Sequence, residues 1–156
     1  MQKLAVIEVG KTKEMWIAKG KEEYLKRLKR YALIKIISIK DEPVKPSRSI
    51  KQILDNEGSR IEKALPKNYS IIVLDSRGER YSSREFARFL GKKKDRGESI
   101  VFITGSSYGL SEGLKKGADT VISFSKMTFP HQMIRVILLE QIYRACSILA
   151  GTDYHK

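Results

Sequence analysis

One cysteine and two histidines are all that the 156 residues offer in soft metal ligands. A lone thiol, Cys146, excludes a disulfide framework and a cysteine-rich zinc site. His131 and His155 are too few for a histidine-rich one, so no metal is expected. No apolar run approaches the ~20 residues of a membrane-spanning helix. The apolar stretch within Met1–Gly10 is too short for a signal peptide, and Glu8 interrupts it. The expectation is a cytoplasmic chain with no membrane partner. Neither G-x-G-x-x-G nor G-x-x-x-x-G-K-[ST] occurs, which removes the dinucleotide fingerprint and the P-loop. Acidic residues are also scarce. There are 18 of them against 31 Lys and Arg, a formal net charge of +13. The excess is +8 over residues 1–78 and +5 over 79–156, so it is not a detachable basic arm. Such a surface points to polyanions, nucleic acid first.

What is present reads as one globular domain over residues 1–156. Hydrophobic residues make up 41% and charged residues 31%, at a length close to the ~150 residues of a typical domain. Lys3 to Val9 predicts a first strand ending at Gly10. Trp16, Ile17, Tyr24, Leu25 and Leu28 recur at helical spacing within Lys11–Arg30, opposite a face of Lys and Arg. Leu33 to Ile39 predicts a second strand. Asp41 to Ser49, with two prolines, predicts a mobile loop. Ser47 or Ser49 is placed to cap a helix running to about Leu65, ahead of Pro66. Tyr69 to Leu74 is a continuous apolar run, as in a strand buried on both faces, and Asp75–Glu79 predicts a turn. A helix from Ser82 or Ser83, a strand Ser99–Thr104, a short helix Ser111–Lys116 and a strand Thr120–Phe124 follow. After Pro130 comes a long helix that Gly151 stops, leaving Thr152–Lys156 to trail out. This alternation predicts an α/β fold with a mostly parallel sheet flanked by helices.

Ligands of open α/β sheets bind beyond the carboxyl ends of the strands. Three successive strands here end in unusual loops: Leu74-Asp75-Ser76-Arg77-Gly78, Gly105-Ser106-Ser107-Tyr108-Gly109-Leu110, and Ser123-Phe124-Ser125-Lys126-Met127-Thr128-Phe129-Pro130-His131. The third continues as Gln132-Met133, followed by Arg135-Val136, Glu140-Gln141-Ile142-Tyr143-Arg144-Ala145 and the terminal Tyr154-His155-Lys156. In the order and spacing of these segments the chain closely resembles the small SPOUT-class methyltransferases that modify N3 of a pseudouridine in bacterial large-subunit ribosomal RNA. The resemblance runs from Val9-Gly10-Lys11 to the last residue. One position departs: Gly105-Ser106 stands where the family has two successive glycines.

The resemblance implies a C-terminal trefoil knot, a homodimer, and a 23S ribosomal RNA substrate in the large subunit or the 70S ribosome. It implies S-adenosylmethionine as cofactor, touching Leu74, Gly105, Phe124, Ser125, Lys126, Met127, Thr128 and Phe129. The tail would then be catalytic. His155 carries an imidazole, a side chain that ordinarily titrates near pH 6.5 and suits a proton acceptor. Tyr154 offers a ring or hydroxyl to a base, and Arg144 a cation for phosphate or a developing imide anion. His131, following Pro130, is expected to cap the last helix, and Cys146 to be core. RNA contacts are expected from Lys19, Lys26, Arg27, Arg30 and the Lys92-Lys93-Lys94 run. Two other readings remain open at this point: a SPOUT enzyme acting on transfer RNA, and a catalytically silent RNA-binding module for ribosome assembly.

Overall fold

A computed structural model describes all of residues 1–156. Five parallel strands, β1 (Gln2–Val9), β2 (Ala32–Ile39), β3 (Tyr69–Arg80), β4 (Ser99–Thr104) and β5 (Thr120–Ser123), lie in the order β2-β1-β4-β3-β5. Helices α1 (Met15–Leu28), α3 (Ser83–Asp95) and α5 (His131–Leu149) share one core with the sheet. Helix α4 (Glu112–Gly117) and α2 (Ile50–Ala64) cover the opposite face. The strand period of two divides the sheet between these cores. Leu4, Val6, Ile72, Ile100 and Phe102 pack with Leu28, Phe86, Leu138 and Ile142. Ala5, Ile7, Val73, Val101 and Ile103 pack with Ile61, Leu110 and Leu114.

Helix starts follow local chemistry. Ser49 and Ser82 each close a reciprocal capping box, with Gln52 and Glu85 respectively. The first helix begins at Met15, four residues after the predicted start, because residues 11–14 are held elsewhere. The Gln132 side chain accepts from the backbone N–H groups of Lys13 (2.8 Å) and Glu14 (3.3 Å) and donates to the Lys11 carbonyl. The loop after β2 is tied down rather than loose. Glu42 is buried, ion-paired to Arg48 and Arg60, and its N–H donates to Glu57 Oε2 at 3.0 Å.

Two long-range features fix the end of the sheet where the loops gather. The first is Arg135 of α5, which has no exposed surface. Its guanidinium donates to the Val9 carbonyl (2.5 Å) and Thr12 Oγ1 (2.9 Å) and lies 3.9 Å from the buried Glu8 carboxylate. Lys21 pairs with that same carboxylate at 2.5 Å. The second is β3. The predicted turn at Asp75–Glu79 is instead an excursion of the strand: Leu74 and Glu79 both pair with Ile122, and Arg80 pairs with Ser123. Gly78 returns so close to β5 that a Cβ would lie 2.6 Å from the Ile122 carbonyl carbon and 2.7 Å from the Val121 oxygen. Neither atom can move without unpairing the sheet. Gly78→Ala should therefore be destabilising by about 1–3 kcal/mol, lowering the melting temperature by several degrees. Gly113→Ala in α4, where a Cβ meets nothing, should not lower it.

Candidate active site

The carboxyl ends of β3, β4 and β5 open into a cavity of about 460 Å³, within the size range of sites for cofactor-sized molecules. One wall is the β3 excursion, Leu74 to Arg77. The second is the loop Gly105–Leu110, and the third is the segment from Ser123 to Phe129 with His131 and Ile134 of α5. Seven of the eight residues expected to touch a cofactor line this space: Leu74, Gly105, Phe124, Ser125, Met127, Thr128 and Phe129. Lys126 belongs to the same segment but does not line it.

Each wall is held locally. Ser123 Oγ donates to the Ser125 carbonyl (2.8 Å) and Ser125 Oγ accepts from the Met127 N–H (2.9 Å), folding that segment into consecutive turns. Phe124 packs edge-on against Phe86, so one of its sides is core. Met127 remains 78% exposed at the mouth. In the second wall the Gly109 N–H donates to the Ser106 carbonyl, and Gly109 sits at φ +90°. That turn lies directly over Gly105. A Cβ on Gly105 would collide with the Gly109 carbonyl, so a side chain there displaces the loop itself. Ser106 has no such constraint. Its φ is negative, and its hydroxyl points to Glu57 of α2 at 2.9 Å. A serine therefore replaces the family's second glycine without backbone strain. On the floor, Lys115 bridges Asp75 (3.3 Å) and Glu112 (2.9 Å). The Glu112 hydrogen bond raises the lysine's pKa, and that lysine lowers Glu112's.

His131 does not cap α5. Pro130 occupies the N-cap position with no side-chain bond, and the half-buried imidazole lines the cavity instead. Burial lowers its pKa, and the Arg135 and Lys13 cations lower it further.

Arg144, Tyr154 and His155 lie elsewhere. None of them lines the cavity. From Ile134, at the cavity, to Arg144 is ten residues of helix, or about 15 Å. The tail does not trail out but folds back onto α1 and α5. The Tyr154 ring stands edge-on to Tyr143 at 4.7 Å, with the Arg144 guanidinium over it at 4.8 Å. Its hydroxyl donates to Glu140 Oε1 (3.1 Å) and lies 3.3 Å from that of Tyr24. Burial raises the Tyr154 pKa well above the usual phenol range, and its Tyr24 and Glu140 contacts add to this. Arg144 is ion-paired to Glu140, which raises its pKa, and lies 3.3 Å from His155 Nδ1. A guanidinium only donates, so that ring nitrogen is the acceptor. Arg27 stacks over Tyr24 and Tyr143, and Arg30 over Tyr31, giving this end of the molecule an aromatic and cationic surface. Lys93, expected to be free for RNA, is bonded to Ser70 and Glu98.

A family described as "Predicted SPOUT methyltransferase" matches residues 2–155. The chain belongs to the SPOUT methyltransferase family. It is 44% identical over 154 residues to a protein of Geotalea daltonii named "Ribosomal RNA large subunit methyltransferase H", covering 98% of this chain and 99% of that one. A protein of the same name from Clostridium kluyveri is 45% identical over 157 residues, with 98% and 99% covered. A solved "probable methylase family protein" from Haemophilus influenzae shares the fold, with a TM-score of 0.56 at 12% identity, over 99% of this chain and 70% of that one.

The family motifs pointed to the cavity-lining loops and the tail, but not to the groups that hold them. Glu57 and Lys115 carry no motif of their own, and Glu140 stands in a family segment that does not show its partners. Each acts across contacts that only the fold creates, apart from the helical pairs Glu140–Arg144 and Glu112–Lys115. Two outcomes are expected. Gly105→Val should abolish cofactor binding in calorimetry while thermal unfolding stays cooperative. Because His131 is held neutral, binding of a cationic cofactor should be flat down to about pH 6.5, the ordinary imidazole value. Below that it should weaken as the ring takes its proton, and His131→Asn should remove the decline.

Proposed function

We propose that this chain is an S-adenosylmethionine-dependent methyltransferase acting on N3 of a pseudouridine in 23S ribosomal RNA. Its substrate is the large subunit or the 70S ribosome, and it works as a cytoplasmic homodimer, one domain per chain over residues 1–156. The observation that carries the reading is the cavity at the ends of β3–β5, lined by the segments that bear the family's motifs. The names of the relatives, matched over nearly their full length, supply the substrate class. The trefoil knot belongs to the same proposal.

The residues present fit the cofactor. Leu74, Leu110 and Phe129 offer apolar surface to a flat purine, strand-end backbone groups offer hydrogen bonds to its edge, and the Asp75 and Glu112 carboxylates, bridged by Lys115, offer hydrogen-bond acceptors. S-adenosylmethionine supplies, when bound, a methyl group already activated by its sulfonium. The chain's own work is then to align the nucleophile, exclude water and remove the imide proton. Arg144 suits stabilisation of the imide anion. His155 becomes a proton acceptor only when Arg144 turns away from Nδ1, because a neutral ring that accepts there holds its proton on Nε2. A backbone phosphate of the RNA, already anionic, drawing Arg144 provides that release before the imide loses its proton. Tyr154, neutral and bound to Glu140, fixes the tail.

A second subunit completes the site. Within one chain the tail docks beside Glu140, Tyr143 and Arg144, about 9–15 Å along α5 from Ile134 at the cavity, yet methyl transfer brings base and cofactor into contact. The free face of α5 carries Met133 and Ile137, only half-buried, next to Ile134 at the cavity and the exposed Met127. A helix apolar on both sides is one covered on both sides. Two-fold pairing along this face would set one subunit's tail beside its partner's cavity.

Calorimetry should show S-adenosylmethionine binding, and labelled methyl groups should appear in 23S RNA of large subunits or 70S ribosomes. Labelling of transfer RNA instead, or RNA binding without transfer, would select one of the other readings. Ile137→Lys should run as a 17.8 kDa monomer in light scattering. It should lose methyl transfer by about a hundredfold or more, the worth of a positioned acid–base group, while still binding cofactor. A fully active monomer would contradict the shared site.

A further inference from the structure

Glu57 is a carboxylate 3% exposed in the middle of α2, with no cation within ion-pairing distance. Both of its oxygens are used across the fold. Oε2 accepts the Glu42 N–H at 3.0 Å, and Oε1 accepts the Ser106 hydroxyl at 2.9 Å. Ser106 in turn opens the turn closed by its carbonyl and the Gly109 N–H, and that turn forms one wall of the cavity. The next residue, Gly58, brings α2 against Ser111: a Cβ there would lie 2.8 Å from Ser111 Oγ. Thus α2 grips the loop at both ends, by a hydrogen bond at Ser106 and by close packing at Ser111. A hydrogen bond to a buried charge is among the stronger polar contacts, and it costs more to leave unmade.

We propose that Glu57 is a positioning residue for the cofactor site, latching the Gly105–Leu110 loop in its binding shape through the hydroxyl of Ser106. The inference rests on the reading of the cavity as the S-adenosylmethionine site. It also gives Ser106 a role where the family has glycine: in this chain a side chain makes the bond that fixes the loop. The latch has an outer anchor. Glu42, whose N–H fills the other oxygen, is itself held by Arg48 and Arg60. The carboxylate therefore cannot follow the loop if the loop swings outward.

Titration calorimetry with S-adenosylmethionine, on the intact wild-type protein and four variants, tests this, with each ligand-free melting temperature recorded in parallel. Ser106→Ala should raise Kd about tenfold and Ser106→Thr, which keeps the hydroxyl, no more than about twofold. Glu57→Gln, whose amide NH2 still donates to the Ser106 hydroxyl but carries no charge, should weaken binding less than Ser106→Ala does, and the double variant should be no weaker than Ser106→Ala alone, as for one shared interaction. If Ser106→Ala binds as wild type, whatever happens to its melting temperature, the bond is structural only and the inference falls. It falls equally if the two losses simply add. Wild-type protein that binds no S-adenosylmethionine overturns the cofactor reading, and the latch with it. Tight wild-type binding with unaffected variants overturns the latch alone.

Discussion

A fully buried guanidinium decides where α5 lies. Arg135 is drawn from solvent into the end of the sheet, where Glu8, the Val9 carbonyl and Thr12 receive it. Burying the cation lowers its pKa, so the nearby carboxylate is what makes the position tolerable. Removing one partner of such a pair typically costs about 3–5 kcal/mol, because the other is left buried and uncompensated. The pair spans most of the chain, from the first strand to the last helix. Gln132, one turn earlier on the helix, fastens the loop after β1. Together they set the amino end of α5 against the carboxyl ends of the strands, so that His131 and Ile134 become cavity wall.

Once that end is fixed, the helix acts as a ruler. Nine residues of regular helix, about 14 Å, separate Ile134 at the cavity from Tyr143 in the aromatic cluster of Tyr24, Tyr143 and Tyr154. There Glu140 gathers Arg144 and Tyr154, and the tail is held on the same seam as α1. The two halves of the proposed chemistry, cofactor cavity and tail, are thus each well formed and kept apart in one chain. The half-exposed apolar face of α5 lies between them. The proposed dimer follows from this separation: two copies packed antiparallel about a two-fold axis along α5 bring each tail to a cavity.

Much of this was legible because it is local. The capping serines 49 and 82, the break at Pro66, and the buried runs of β3 and β4 announce themselves over a few residues. The cavity loops were legible from their motifs. What stayed hidden depends on pairs far apart in the chain. Glu8 read only as an interruption of an apolar stretch and Arg135 only as part of a motif, because neither shows its partner 127 positions away. Asp75–Gly78 has turn composition, and only pairing of Glu79 with Ile122 reveals that the strand resumes. The tail followed a stop signal at Gly151 and looked loose. Its docking depends on Tyr24 and Tyr143, which periodicity assigns to two separate helices. The Ser106–Glu57 bond joins a loop to a helix 49 residues earlier, beyond any local pattern.

The central claim is that cavity and tail from different subunits make one working site. Mixing two inactive proteins tests it most directly: Gly105→Val, whose cavity is blocked but whose tail is intact, and a chain lacking Tyr154, His155 and Lys156. After exchange of subunits, half of the dimers pair the two kinds, and each such dimer holds one intact cavity facing one intact tail. Methyl transfer should return to about a quarter of the wild-type rate, as two-fold symmetry requires. If the mixture stays as inactive as its components although mixed dimers have formed, cavity and tail work within a single chain, and the shared site is wrong.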